Sequence, residues 1–195
     1  MDPINILVAI NLFATLTANF SAAKSGFKTS MVQVIERPKG YLQKIPGNVS
    51  ALVLILVILG VFRVGTINVE ENTDLFAIRI FGLIIFVVFS WLQISSYKAL
   101  GEFYTQEIVV KKGHKLVTSG LYKAVRHPQY ASQILSDFGA AIAVMSYLAM
   151  PVVILIEIPL FILRAKQEEK LLEKHFKEGF TSYKKKSGFF IPFIG

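Results

Sequence analysis

Between Arg79 and Lys98 the chain runs 18 residues, Ile80 to Tyr97, without a charge. The wider stretch Leu75 to Leu100 has 26 residues, enough as a helix to cross roughly 30 Å of hydrocarbon with length left for tilt. Few folds are open to a chain with such a run, because backbone amides in lipid must be satisfied inside the membrane segment itself. Further apolar runs cover Ile4 to Ala23, Val49 to Val64 and Tyr130 to Leu163. Only 17% of residues are charged, where a soluble domain averages about 25%. The class is therefore all-α, a polytopic membrane helix bundle.

The last run is 34 residues long, too long for one ordinary span. A break from Met145-Ser146-Tyr147 to Pro151 divides it into a hairpin of two short crossings, which makes five transmembrane helices. The size allows one domain, 1–195, with two spans in 1–74. The third span, a polar insertion, the hairpin and a charged C-terminal helix occupy 75–195. The first run lacks a basic leader and a cleavage site and reads as a retained span.

Charge placement gives an orientation. The connectors after spans one and three and the C-terminal tail are basic. The connector after span two carries Glu70, Glu71 and Asp74. With five crossings all basic segments share one side, so the N-terminus lies outside and the C-terminus in the cytoplasm. The net charge of +8 then belongs to loops beside anionic lipid, not to a nucleic-acid surface. There is no cysteine, so thiol chemistry and thiolate metal sites are excluded. His114 and His127 stand 13 apart without nearby carboxylate ligands, which argues against a metal.

Smaller features carry structural expectations. Asn5, Asn11 and Asn19 suit hydrogen bonding between helices. Thr29 to Glu36 allows a short interfacial helix. Gln167 to Lys186 is helical in pattern, and Phe189 to Ile194 is an apolar end able to fold back. Asp137 and Glu157 sit inside the hairpin helices, where carboxylates are costly and functional by default unless protonated or paired with Arg79 or Arg63.

Two polar clusters flank the hairpin. The first, His114 to Tyr130, reads HKLVTSGLYKAVRHPQY. Pro128 suits a first helical turn, whose free N–H groups favour an anion. Gly120 permits a tight turn, Tyr122 and Tyr130 offer rings for stacking, and His127 offers a hydrogen-bonding edge. Snorkelling anchors and a tyrosine belt would produce the same composition. The second cluster joins Arg164 to Glu168 and Glu169 where span five leaves the membrane. Arg164 and Glu168 share a helix face, either as an exposed ion pair or as a ligand site.

HKLVTSGLYKAVRHPQY, the hydrophobic hairpin and RAKQEE together resemble the isoprenylcysteine carboxyl methyltransferases and related phospholipid methyltransferases, over roughly Gly101 to Gly195. Ala131 and Ser132 follow RHPQY where that family commonly has a small residue and Gly. The resemblance implies a cofactor, S-adenosylmethionine, with S-adenosylhomocysteine as product. It implies cofactor contacts at Glu107, at His114, Lys115, Leu116 and Val117, at Tyr122, and at His127, Pro128, Gln129 and Tyr130. Glu168 is expected on the cofactor and Arg164 on the substrate, both with catalytic roles. A carboxylate nucleophile needs positioning within about 3–3.5 Å of the methyl carbon and no general base. Arg164 is expected to hold it by two parallel hydrogen bonds.

The activity expected is methyl esterification of a lipid-modified or hydrophobic carboxylate at the cytoplasmic membrane boundary. Three alternatives stay open on the sequence: N-methylation of a phosphatidylethanolamine-like head group, reduction of a sterol or enone with NADPH, and a non-catalytic lipid-binding role.

Overall fold

The computed structural model describes residues 2–29, 34–68 and 73–195; of the side chains within these, those of 20–29, 73 and 74 are excepted. Helices dominate. The elements are α1 (Pro3–Thr29), β1 (Val34–Glu36), α2 (Ile45–Val61), α3 (Thr73–Leu100), β2 (Val110–Lys111), α4 (Pro128–Ala143), α5 (Ala149–Val152), α6 (Ile158–Phe176) and α7 (Glu178–Lys184). A π-helical turn, Val153–Glu157, joins α5 to α6, so the two run on as one rod.

Among the described residues one helix, Leu75–Phe103, is long and apolar enough by itself to cross a membrane, and Pro3–Asn19 and Ile45–Val61 are shorter apolar helices. Large side chains such as Phe13, Phe62, Phe81 and Leu155 are exposed on α1, α3, the α5–α6 rod and the turn after α2. An apolar outer surface of that extent calls for lipid, not water.

The sharp turn of the hairpin lies at Val144–Leu148, slightly before the expected break, and Met145 takes a positive φ there. Pro151 is inside α5 and does not end it. Helices α3 and α4 pack closely because two glycines face each other. A Cβ on Gly139 would come within 2.6 Å of the Phe86 amide nitrogen and 2.8 Å of the Gly82 carbonyl. Small residues allow this approach in lipid, where helix association relies on packing. Ile4, Val8, Val53, Val57, Phe86 and Ala140 belong to the main core between the helices.

Polar side chains staple the spans. Asn5 Nδ2 donates to the Val61 carbonyl (2.9 Å), and Asn11 Nδ2 donates to Ser90 Oγ (3.0 Å). Arg79 does not reach Asp137 or Glu157. It grips both oxygens of Asp2 (2.7 and 2.8 Å) and donates to the Ala143 carbonyl. Ser50 Oγ donates to Glu157 (2.6 Å) and Gln133 Nε2 donates to Asp137 (2.6 Å).

The interfacial helix expected over Thr29 to Glu36 is not what forms at its far end. Val34–Glu36 is a strand, antiparallel to Val110–Lys111. The β-branched Val34 and Ile35 suit that pairing. Residues 30–33, and Glu70 and Glu71 of the acidic connector, lie outside the described residues.

A cleft beside the hairpin and the candidate active site

The polar insertion and the C-terminal helices enclose a cleft of about 840 Å³, counting its mouth open to solvent. Its wall includes Glu107, His114, Lys115, Leu116, Val117, Tyr122, His127, Gln129, Tyr130 and Glu168. Those are the residues singled out in the sequence, save two. Pro128 stands behind the wall, in the first turn of α4, where its missing N–H is no loss. Arg164 also stands off the wall, one hydrogen bond behind Tyr130.

Local structure brings these groups together. Gly120 takes a φ of +59°, a conformation glycine adopts without strain. The chain then turns through Gly120–Lys123 and buries Tyr122. His127 precedes α4 with its ring stacked on Tyr130 at 5.6 Å between centroids. Phe189 packs on the edge of His127 (5.1 Å), so the apolar C-terminal end does fold back. The return is held by Arg126 N–H donating to the Gly188 carbonyl (2.8 Å).

Behind the cleft, Arg126 Nε donates to Glu169 (2.6 Å), and both are almost fully buried. Lys184 Nζ lies 3.2 Å from the other Glu169 oxygen, and His127 Nε2 lies 3.3 Å from the first. Burial alone would push the Glu169 carboxyl up, but hydrogen bonds from His127 and Arg126 and their charges hold it at about 2. Burial lowers the pKa of His114, whose Nδ1 is enclosed with no partner among the described residues. Its ring stacks on Phe103 at 5.4 Å.

Arg164 and Glu168 are not an exposed ion pair. Tyr130 stands between them, its hydroxyl accepting from Arg164 Nε (3.0 Å) and donating to Glu168 Oε2 (2.7 Å). Arg164 Nη1 donates to the carbonyls of Leu42 (2.6 Å) and Gln43 (3.1 Å), and Nη2 donates to that of Gln106. A guanidinium has five N–H donors. Four are used, so the two parallel bonds expected for a substrate are not available in this arrangement.

Sequence reasoning did not place Phe180 and Tyr183 of α7 on the cleft, nor the connector before α2 beside it. Arg37 pairs with Glu107 (2.8 Å), and Gln43 bonds to both backbone groups of Ile108. Nothing in the first two spans resembled a motif, and no local pattern announces contacts 65 residues apart.

The sequence model of the phospholipid methyltransferase family matches residues 77–179, just over half of the chain, and the chain belongs to that family. Two curated relatives that it matches are O-methyltransferases by name. It is 26% identical over 117 residues to the protein-S-isoprenylcysteine O-methyltransferase of Saccharomyces cerevisiae, covering 59% of this chain and 49% of the yeast protein. It is 24% identical over 116 residues to protein-S-isoprenylcysteine O-methyltransferase B of Arabidopsis thaliana, covering 58% and 59%. The match therefore spans about half the length of these relatives. The solved structure of a eukaryotic intramembrane Ras methyltransferase, isoprenylcysteine carboxyl methyltransferase, superposes on all of this chain and 69% of its own. The TM-score is 0.62 at 20% identity, a likeness of fold.

Proposed function

We propose that the protein is an S-adenosylmethionine-dependent methyltransferase that esterifies the carboxylate of a lipid-modified or hydrophobic acceptor. The observation that carries this is the Arg164–Tyr130–Glu168 chain, which couples a cation at the membrane boundary to a carboxylate on the cleft wall.

The residues present fit that cofactor. Glu107 and Glu168 offer carboxylates to cationic groups, while Tyr122, Tyr130 and His127 offer flat faces to a heterocycle. The enclosed, unpartnered His114 Nδ1 leaves a hydrogen-bonding atom for a ligand. When bound, the cofactor supplies a methyl group already activated on a sulfonium. The chain's part is to bind and orient. Tyr130 fixes Glu168 on one side and Arg164 on the other, Arg164 attracts an anionic acceptor, and Phe180, Leu171 and Leu172 exclude water from the wall.

Five crossings, with the N-terminus outside and the C-terminus and cleft in the cytoplasm, suit both ligands. A polar cofactor enters from the cytoplasm and a lipid-bearing acid from the bilayer. Membership of a phospholipid methyltransferase family supports a second reading, N-methylation of a lipid amine. Family membership favours methyl transfer over NADPH chemistry.

Isothermal titration of the detergent-purified protein with S-adenosylhomocysteine, and separately with NADPH, tests the proposal. Saturable binding of the first alone is expected, and binding of NADPH alone would overturn it. Glu168→Gln should weaken S-adenosylhomocysteine binding about tenfold, the loss of a charge-assisted contact. Arg164→Ala, off the cleft wall, should leave it bound but abolish turnover with prenylcysteine acids.

A further inference from the structure

The connector between α1 and α2 reaches the site through Gln43. Its side-chain Nε2 donates to the carbonyls of Pro38 (2.8 Å) and Ile108 (3.1 Å), and its Oε1 accepts from the Ile108 N–H (2.9 Å). Its own carbonyl, with that of Leu42, occupies both hydrogens of Arg164 Nη1. The Tyr130 hydroxyl takes Nε and the Gln106 carbonyl takes one hydrogen of Nη2. Among the described residues a single Arg164 N–H, on Nη2, has no partner.

That number matters for an esterification. One carboxylate oxygen must attack while keeping a lone pair directed at the methyl carbon. A two-point guanidinium grip ties both oxygens, lowers the nucleophilicity of each and fixes them in the guanidinium plane. A one-point grip holds one oxygen and frees the other.

We infer that Gln43 is a positioning residue for the acceptor: by pinning the Leu42–Gln43 carbonyls on Arg164 it limits the arginine to one bond with the incoming carboxylate. This rests on the carboxylate reading above. The free oxygen forms the new O–CH3 bond as the C–S bond of the sulfonium donor breaks. The bonding pair goes to sulfur, the ester and the thioether are both neutral, and no proton is released. The first two spans thereby gain a part in the chemistry, through the short 3₁₀ turn Tyr41–Gln43 that precedes α2.

The test uses the full-length protein in lipid nanodiscs, with an S-prenylated cysteine bearing a free carboxylate as acceptor. Gln43→Met keeps the side-chain length and removes all three bonds. With the connector loosened, Arg164 recovers donors and grips the acid at two points. The expected result is a split: kcat falls about tenfold while the acceptor KM does not rise. Acceptor affinity measured without cofactor should hold or tighten, and S-adenosylhomocysteine affinity should stay within about twofold. Unchanged kcat, or acceptor and S-adenosylhomocysteine affinities falling together, would overturn the inference. If Gln43→Met does not fold, Gln43→Glu decides, since it keeps the bond from the Ile108 N–H and should show the same split at smaller size. A wild-type protein that binds S-adenosylhomocysteine yet esterifies no prenylcysteine acid would instead overturn the carboxylate reading, and this inference with it.

Discussion

Tyr130 and Glu168 are joined by a 2.7 Å hydrogen bond across the cleft wall, although 38 residues and a full helical hairpin separate them in the chain. The same hydroxyl accepts from Arg164. Tyr130→Phe removes both bonds and keeps the ring packing on Phe161 and His127. Each lost bond to a charged group is worth about 1.5–3 kcal/mol. Methyl transfer should fall at least about tenfold, with S-adenosylhomocysteine affinity reduced less. Steady-state kinetics beside titration checks this, and unchanged turnover would remove Tyr130 from the site.

Glu169 gives the acid limit of the fold. Its folded carboxyl is held at about 2, below the roughly 4.3 of an unfolded glutamate. A depressed pKa contributes stability that is fully present above the unfolded value and lost as pH falls toward the folded one. Thermal stability in detergent should therefore drop between about pH 4.5 and 2. Glu169→Gln should flatten that dependence and lower the melting temperature at pH 7, because Arg126 loses its charged partner while buried. A wild-type melting temperature that stays flat over that range would contradict the assignment.

The contact of α3 and α4 leaves no room at Gly139. Gly139→Ala places a methyl against backbone atoms at 2.6 and 2.8 Å, so the helices must part. The cost should be about 1–3 kcal/mol, read as a lower melting temperature. A neutral result would mean that the two helices separate more easily than their spacing implies.

The orientation can be tested directly because the chain has no cysteine. Asn68→Cys, in the connector after α2, should react with an impermeant thiol reagent added outside intact cells. Lys123→Cys, in the insertion, should react only after permeabilisation. The reverse pattern would invert the arrangement proposed here.

Much of this could be read from the residues because lipid imposes a coarse code. Uninterrupted apolar runs locate α1, α2 and α3, and the 34-residue run resolves into a hairpin by its length and the break from Met145-Ser146-Tyr147 to Pro151. The polar insertion stood out by contrast, and Gly120 and Pro128 sit where turn and helix chemistry put them. What could not be read was any contact dependent on chain return. The strand Val34–Glu36 needs Val110–Lys111 as a partner, and three residues have no periodicity to display. Gln43 looks like any polar connector residue until Ile108 is beside it. Arg164 was legible as a functional cation, but its remaining valence was not, since three of its four acceptors are backbone carbonyls. Backbone carbonyls carry no sequence signal.

The π-helical turn Val153–Glu157 sits between the tip of the hairpin and Arg164. Such a turn takes up one residue beyond the α-helical count, and each residue rotates the following face by about 100°. Removing one residue there would restore a straight α-helix and swing Arg164, Glu168 and Glu169 away from Tyr130 and Arg126 as a block. Hairpin length and site alignment are thus coupled through phase, not distance. A one-residue change of length within this rod would keep the same constellation if such a turn were gained or lost with it.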